Sequence, residues 1–223
     1  MAIPLLEAID IEGKVITADA LLTQRELANY LVLKRKAHYH FTVKGNQPTL
    51  LADIELYFRY RKEPDFIENT PPDHGRIETR KIWVTTELND YLNFPHVGQA
   101  FVIERHCIDK KTGKSSCEIA HGVTSQSPKE ADAQSVLATN RGHWSIENSC
   151  HYIIDWNYDE DRSRIRIGNG PENITRLRRF AVGVIKSKGV SSVAQKMRQL
   201  TRNVRMVLDY LKMTKNSCAP ASP

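Results

Sequence analysis

The amino-acid sequence predicts an α/β fold that is interrupted by antiparallel strands and closed by a basic helical segment. In the first 60 residues, short apolar strands alternate with helical segments, which is the order that builds a parallel sheet. Longer alternating strands follow in residues 76–125, and helical patterns prevail after them. Hydrophobic residues make up 40% of the 223, enough for one large domain or one domain with an appendage.

The two strands of the first part are short and end in polar residues. After a helix end at residues 4–9, the apolar run Val15–Ala18 predicts a buried strand that stops at Asp19. Residues His38–Val43 alternate as a second strand, which stops at a Lys-Gly-Asn-Gln group at 44–47. Functional groups of parallel sheets collect at the carboxyl ends of the strands, and both Asp19 and residues 44–47 fall there.

Helices are predicted after each strand and again after the insertion. Thr23 and Glu26 have the spacing of a capping box and predict a helix that runs to about residue 35. A second helix is expected over 48–60. Ser127 is a good cap, with Pro128 at the first helical position, for a long helix that runs to about residue 155. A basic helical region over about 171–213 closes the chain.

Residues 62–75 are rich in Pro, Asp and Glu, and we expect a loop there. The antiparallel insertion that follows is predicted to contain three strands and one turn. The strands are 77–85, 99–108 and 116–124, with the turn at 110–114. The predicted organisation is a partial core (1–75), a β-insertion (76–125), a core helix (126–161), a basic helical segment (162–215) and a disordered tail (216–223).

Charge is distributed unevenly along the chain. Residues 162–215 contain fourteen Lys or Arg and two acids, a net charge of +12, whereas residues 1–161 carry −6. Such a block is typical of a nucleic-acid contact surface, and a solvated helical face is the equal alternative. The four cysteines form no CxxC pair, so we expect free thiols rather than a zinc ribbon or a disulfide framework.

A polar stripe stands out near residues 140–155. It consists of His143, Glu147, His151 and Asp155. Because these residues are spaced four apart, they line one face of a helix. Four interpretations remain open: a solvent-exposed face, a zinc site without the H-E-x-x-H spacing, packing residues with Glu147 paired to Arg141, or a hard-cation site shared with Asp19. The last one also accounts for the basic segment, because two Mg²⁺ ions about 4 Å apart assist attack on a phosphodiester.

Four strings, in order, carry a family resemblance. They read Thr-Ala-Asp-Ala at 17–20, His-Gly-Arg-Ile-Glu-Thr-Arg at 74–80, Arg-Gly-His-Trp-Ser-Ile-Glu-Asn at 141–148 and Asp-Glu-Asp at 159–161. Over about 13–213 the chain resembles the DDE transposases of bacterial insertion sequences, of the H-repeat-associated type. The resemblance implies an RNase H-like core with a β-insertion. It also implies an enzyme of DNA recombination that cuts DNA at element ends and joins the strands to target DNA.

The resemblance implies that Asp19 is the second and Glu147 the third acid of a catalytic triad, and that both are ligands of two Mg²⁺ (or Mn²⁺) ions. It also implies DNA contacts by the residues of the motifs. These are Arg76, Arg80, Arg141, His143, Trp144, Asn148 and His151. Trp144 would stack on a DNA end or a flipped base, or else anchor its helix in the core. Arg76 and Arg80 would contact phosphates, or else form a surface salt bridge with Glu78.

One departure from the family pattern concerns the first acid. The resemblance implies an Asp on an opening strand, followed by Gly-Lys. Asp10 is followed by Ile-Glu before Gly13-Lys14, so its likeness to that motif is superficial. We therefore expect an N-terminally truncated, catalytically incomplete member with an exposed sheet edge, which would be poorly stable, aggregated or dimeric. The alternatives are a DNA-binding or regulatory remnant and a related metal-dependent nuclease.

The expected surroundings follow from the same observations. No stretch has the apolar length of a membrane span, and the N-terminus is too short and acidic for a signal peptide. We expect a bacterial cytoplasmic protein that associates with the nucleoid. Its expected partners are DNA, both element ends and target, and a second copy or a full-length transposase.

Overall fold

The fold is described from a computed structural model that covers residues 2–60, 63–73, 75–144 and 152–214. It divides into two compact units, Met1–His143 and Trp144–Pro223. The first unit contains the whole of the described β-sheet, and the second is helical. Among the described residues, no helix is both long and apolar enough to cross a membrane.

The sheet begins with the two short parallel strands that the sequence predicts. Strand β1 (Val15–Ala18) pairs in parallel with β2 (His38–Val43), with Ala18 opposite Phe41. A parallel connection needs a crossover. Helix α2 (Arg25–Asn29), continued by a π-helical turn over Tyr30–Lys34, provides it. A short helix α1 (Ala2–Glu7) precedes β1, and α3 (Pro48–Phe58) follows β2.

Four antiparallel strands complete the six-stranded sheet. They are β3 (Phe66–Asp73), β4 (Arg76–Thr85), β5 (Gln99–Asp109) and β6 (Ser115–Thr124). The strand order is β1-β2-β6-β5-β4-β3, so the insertion extends the parallel pair through the β2–β6 contact. Strand β1 stands at one edge of the described sheet and β3 at the other. The β5–β6 turn forms because Gly113 adopts φ +68° and the Asp109 carboxylate accepts the backbone N–H groups of Lys111 and Thr112.

Helices cover both faces of the sheet. One apolar cluster joins α2 and α3 to the sheet, with Tyr39, Phe41 and Val102 among its buried members. On the other face, α4 (Ala133–His143) packs Leu137 against Phe101 in a second cluster. Because side chains alternate along a strand, neighbouring residues of β5 point to the two different clusters. The first unit is therefore a three-layer α/β/α arrangement, and it belongs to the α/β class that the sequence predicts.

The expected loop at 62–75 is wrong, because β3 occupies most of it. Asn69 pairs with Thr79 of β4, and the register shifts between Thr70 and Asp73, where two prolines stand. Proline cannot donate to a ladder and is tolerated on an edge strand, which is the place of β3. The two prolines favour a loop in a prediction from sequence, although the residues before them alternate between partly buried and exposed positions.

Two predicted helix starts are also wrong. The Thr23 hydroxyl donates to the carbonyl of Thr42 on β2 (2.7 Å) instead of capping a helix, and α2 begins at Arg25. Ser127 does not start α4, because the Glu130 carboxylate accepts both its backbone N–H (2.7 Å) and its hydroxyl (2.9 Å) in a turn. Helix α4 begins at Ala133, where the Asp132 carboxylate accepts the N–H of Ser135.

The second unit consists of helices, as the sequence predicts for 171–213. They are α5 (Tyr152–Tyr158), α6 (Gly170–Lys186), α7 (Val193–Thr201) and α8 (Val204–Tyr210). The single long helix expected up to residue 155 is described instead as α4, ending at His143, and α5. The predicted tail at 216–223 lies outside the described residues.

Candidate active site

Asp19 stands at the carboxyl end of β1, as the sequence predicts. Its backbone is extended (φ −68°, ψ 163°) and leads into a 3₁₀ turn over Ala20–Leu22, which it does not cap with its side chain. That side chain is 67% exposed. Since β1 and β2 are parallel, the polar residues that follow β2 lie at the same edge of the sheet. Asp19 therefore offers an accessible carboxylate where α/β proteins place their chemistry.

The residues after β2 brace the turn that carries Asp19. The Asn46 amide donates to the carbonyl of Ala20, and the Gln47 amide donates to the carbonyl of Thr23 (2.9 Å). The Ala20 carbonyl also accepts the Thr23 backbone N–H (3.0 Å), so the turn is held by backbone and side-chain bonds together. The Lys-Gly-Asn-Gln group thus contributes two side chains that fix the position of Asp19, a role that its place in the sequence only hinted at.

His143, the last residue of α4, reaches the same edge. Its Nδ1 lies 3.0 Å from the Thr17 hydroxyl of β1, and its Nε2 lies 3.9 Å from the Asp19 carboxylate. When Nδ1 accepts the hydroxyl proton of Thr17, Nε2 carries the ring hydrogen and presents it to Asp19. The structure therefore brings together two of the residues that the sequence analysis singled out, Asp19 and His143.

A buried histidine, which the sequence analysis missed, lies behind this pair. His40 of β2 is 2% exposed and stacks on Phe101 at a centroid distance of 4.5 Å. Its Nε2 is 3.4 Å from the Asn140 amide nitrogen of α4, and its Nδ1 has no hydrogen-bond partner. Burial, and secondarily the nearby His143, lowers the pKa of His40 from 6.5 to about 3. The alternation of β2, which puts Tyr39 and Phe41 in one core, was the signal that His40 faces the other.

Two of the three predicted arginines, Arg80 and Arg141, belong to an ion-pair ladder on the α4 face of the sheet. Its members are Glu68, Glu78, Arg80, Arg105, Glu118 and Arg141. Arg80 contacts Glu78 at 2.7 Å and Glu68 at 3.7 Å, with only 13% of its side chain exposed. Arg141 contacts Glu68 at 2.6 Å. The salt bridge between Arg80 and Glu78, one of the two alternatives drawn from the sequence, is thus present, whereas Arg76 is exposed.

Glu78 occupies the centre of the ladder. Partial burial acts to raise its pKa, but hydrogen bonds and charges from Arg105 and Arg80 outweigh burial and hold the pKa below its usual value. Glu78 is therefore charged at neutral pH and forms ion pairs with both arginines. Sequence reasoning missed Arg105, which joins the ladder because β5 places it directly opposite Arg80.

Several predicted site residues cannot be located in this arrangement. Glu147, Asn148 and His151 lie outside the described residues. Trp144 is the first residue of the second unit, and 54% of it is exposed. Asp155 is exposed on α5. The predicted four-residue stripe is consequently described only at its two ends.

The described part of the site fits a hard divalent cation. Carboxylate oxygen is the ligand type that Mg²⁺ takes in proteins, usually from one or two residues, with water in the remaining positions. The exposed Asp19 carboxylate meets this requirement. Glu147 follows His143 by four residues along the chain, and His143 already lies beside Asp19.

Comparison with known proteins shows the family of the chain. A family model described as the transposase DDE domain matches residues 1–178. The DDE transposase family generally uses divalent metal ions.

Three curated relatives from Escherichia coli illustrate the similarity. The putative transposase YncI of strain O157:H7 is 30% identical over 232 residues, which cover 98% of this chain and 57% of the relative. The H repeat-associated putative transposase YhhI of strain K12 is 28% identical, covering 94% and 57%. The H repeat-associated putative transposase YbfD is 38% identical over 98 residues, which cover 42% of this chain and 38% of the relative.

The chain spans a little over half the length of YncI and YhhI. The family match covers well over half of the chain itself, and it includes both Asp19 and Glu147. The chain therefore belongs to the family of transposases with a DDE domain, and within that family to the H-repeat-associated type.

Proposed function

We propose that this protein acts in DNA transposition, in which the ends of an element are cut and then joined to target DNA. The observation that carries the proposal is the exposed Asp19 carboxylate at the carboxyl end of β1, beside His143, in a chain of the DDE family. The basic character of residues 162–215 supports a DNA substrate, because Lys and Arg neutralise the phosphate backbone.

Asp19 and Glu147 are the residues that would hold Mg²⁺ or Mn²⁺. Bound divalent ions supply the activation of the attacking hydroxyl and the stabilisation of the leaving oxygen in an in-line displacement. The role of the protein itself is to position the two carboxylates. Asn46 and Gln47 fix the turn after β1, and the β1–β2 pairing fixes the strand itself.

His143 is a positioning residue in this proposal. With Nδ1 bonded to Thr17, its Nε2–H faces the Asp19 carboxylate and favours one orientation of that group. The buried His40 behind it is held neutral, so it adds no positive charge beside the acids. The carboxylates of the site can therefore keep their negative charge for the cation.

Contacts to DNA are divided between the two units. Arg76 is exposed, and Arg141 is half-exposed despite its bond to Glu68, so both are available to phosphates. Arg80 is enclosed by two carboxylates, and its part is to hold the ladder together. We retain Trp144 as a stacking surface, and His143, Asn148 and His151 as neighbours of the DNA end.

The chain supplies two of the three acids that the family resemblance implies. A site short of one carboxylate binds two cations weakly, and we accordingly propose that this chain by itself is a poor catalyst. Activity belongs to a version that includes the third acid.

The test uses such a version in a strand-transfer assay on element ends. Glu147→Ala and Asp19→Asn should each reduce strand transfer by more than about 100-fold, since even outer partners of a bound metal are worth ten- to hundredfold. DNA binding should persist in both variants. The matched control is Asp10→Asn, because Asp10 only caps its own turn by accepting the Glu12 N–H at 3.3 Å. Cleavage retained in Glu147→Ala would sink the assignment.

A DNA-binding or regulatory role without catalysis is the second candidate. The net charge of +12 on residues 162–215 favours it, because that surface needs no metal to bind DNA. A gel-shift experiment with this chain in the absence of divalent ions separates the two roles. Binding without any cleavage, including after Mg²⁺ is added, supports the second candidate. Cleavage of element ends without joining would point instead to a nuclease.

A further inference from the structure

A second group of ligating side chains lies on the antiparallel strands. It consists of Glu104 and His106 on β5 and Cys117 on β6, and one ligating atom from each lies within 4.8 Å of the others. We propose that these three side chains form a binding site for zinc or a similar borderline transition-metal cation. The inference does not depend on the proposed function, because none of the three residues belongs to the site around Asp19.

The register of the two strands brings the three ligands together. Glu104 and His106 are two residues apart on β5, so their side chains leave the same face of the sheet. Cys117 is directly opposite His106 in the β5–β6 ladder. Phe101 and Ile103 pack in the cluster that contains α4. By alternation, the three ligands are on the opposite face of the sheet from α4.

The distances suit a shared ion. The Cys117 sulfur lies 3.8 Å from His106 Nε2, and His106 Nε2 is in direct contact with a Glu104 carboxylate oxygen. A tetrahedral zinc ion about 2.3 Å from sulfur and about 2.0 Å from nitrogen separates those two atoms by roughly 3.6 Å. An ion can therefore bridge sulfur and nitrogen with little movement, and the partly exposed Glu104 side chain has to turn away from His106 to become the third ligand.

The donor set selects the metal. Thiolate and imidazole are ligands of zinc, cobalt and related cations, whereas Mg²⁺ prefers oxygen alone. Three protein ligands leave a fourth tetrahedral position open. The Cys117 side chain is exposed, and Glu104 and His106 are partly so. A water molecule or another oxygen ligand can consequently reach the fourth position.

One neighbour opposes the cation. Lys81 of β4 lies 3.9 Å from the Glu104 carboxylate, on the same face of the sheet. Its ammonium competes with a metal for Glu104 and repels a divalent charge. Removing that charge should therefore strengthen metal binding, a result that damage to the fold would not produce.

The experiment titrates Co²⁺ into the full chain with Mg²⁺ in excess to occupy oxygen-only sites. We expect one equivalent of Co²⁺ to produce the near-ultraviolet absorption of a cobalt–thiolate bond, and Zn²⁺ to displace it. Cys117→Ser should abolish this absorption, and His106→Gln should weaken binding by more than about 100-fold. Lys81→Gln should tighten binding about two- to fivefold, in keeping with the modest strength of an exposed ion pair.

Cys107→Ser is the matched control, because Cys107 is adjacent to His106 on β5 but points to the opposite face. It should leave the titration unchanged. Protection from alkylation, read by mass spectrometry, gives a test that needs no variant. Zinc should slow the modification of Cys117 and not that of Cys107. Absence of the thiolate absorption, its persistence in Cys117→Ser, or equal protection of both cysteines would each overturn the proposal.

Discussion

At the residue scale, the site combines side chains that sequence reasoning could find with others that it could not. Asp19 was predictable, because an acid directly after a buried strand stands at a functional edge. The alternation of β2 indicates the face of the sheet on which His40 lies, but not the residues that it meets there. The burial of His40 depends on Phe101 and Asn140, which lie 61 and 100 positions further along the chain. Contacts over such separations are set by the fold and leave no local pattern.

Burial of His40 predicts a pH dependence of stability. Because its folded pKa is depressed to about 3, the unfolded chain binds a proton below about pH 6.5 while the folded chain does not. The free energy of unfolding should therefore fall as pH falls through this window, by about 1.4 kcal/mol per pH unit at most. In His40→Phe, which keeps the stack on Phe101, the loss between pH 6.5 and 5 should be smaller. Urea unfolding at several pH values measures this.

The contribution of other groups is separable. Burial also lowers the pKa of His121, which adds a slope of the same sign in both proteins. The carboxyl groups of Glu78 and Glu130, whose pKa values are depressed, lose their contribution only at lower pH, below their unfolded values near 4.5. Identical slopes for the wild type and His40→Phe between pH 6.5 and 5 would contradict the role given to His40.

At the element scale, five of the six described strands were predicted from the sequence, and the segment that forms β3 was predicted to be a loop. Strand boundaries were accurate where turn residues flanked them, as at the Gly113 turn between β5 and β6. Helix starts were harder, because Ser127 and Asp132 are both good capping residues. The Glu130 carboxylate closes a turn on Ser127, so Ser127 does not cap a helix, and the Asp132 carboxylate caps α4 instead. Propensity alone ranks these two caps equally.

The packing of β6 against its neighbours makes a second prediction. A Cβ added to Gly122 would lie 2.1 Å from the Phe101 ring and 2.7 Å from the Phe41 carbonyl oxygen. Gly122→Ala should destabilise the fold by about 1–3 kcal/mol, because the ring is buried and the carbonyl belongs to β2. Gly142→Ala, on α4 with open space around its Cα, should be neutral or slightly stabilising. Thermal unfolding of both variants measures the difference, and equal melting temperatures would refute the argument.

At the scale of the whole molecule, the sequence predicted the family, and the change in net charge along the chain does not coincide with the division into compact units. Net charge changes sign near residue 162, whereas the compact units separate between His143 and Trp144. This boundary falls inside the Arg-Gly-His-Trp-Ser-Ile-Glu-Asn string at 141–148. Unit boundaries reflect the density of contacts, which depends on packing between distant segments, whereas charge can change within one unit.

The basic segment predicts a steep salt dependence of DNA binding. Each phosphate neutralised by Lys or Arg steepens the fall of log affinity against log salt by about 0.9 for duplex DNA. Arg198 lies near the end of α7 and Arg202 just after it, and both are exposed. Replacing both with Ala should reduce the steepness of that salt dependence by about 2. Lys129→Ala, an exposed cation of the first unit, is the control and should leave the slope unchanged. A wild-type affinity that is flat with salt would exclude phosphate contacts by residues 162–215.

The burial of the long insertion strands β5 and β6 changes along their length. Strand β5 is buried over residues 99–103, whereas 104–109 leave the cover of the helices, and its hydrogen-bonded partner β6 is exposed over 115–119. Amide hydrogens at the covered end should therefore exchange with deuterated solvent only on global unfolding, while those near Cys107 exchange by local fraying. One strand would thus display a gradient of protection. A cation bound by His106 and Cys117 would restrain the exposed end of the strand. Amide hydrogens there would then exchange more slowly, and the difference between the two ends would become smaller.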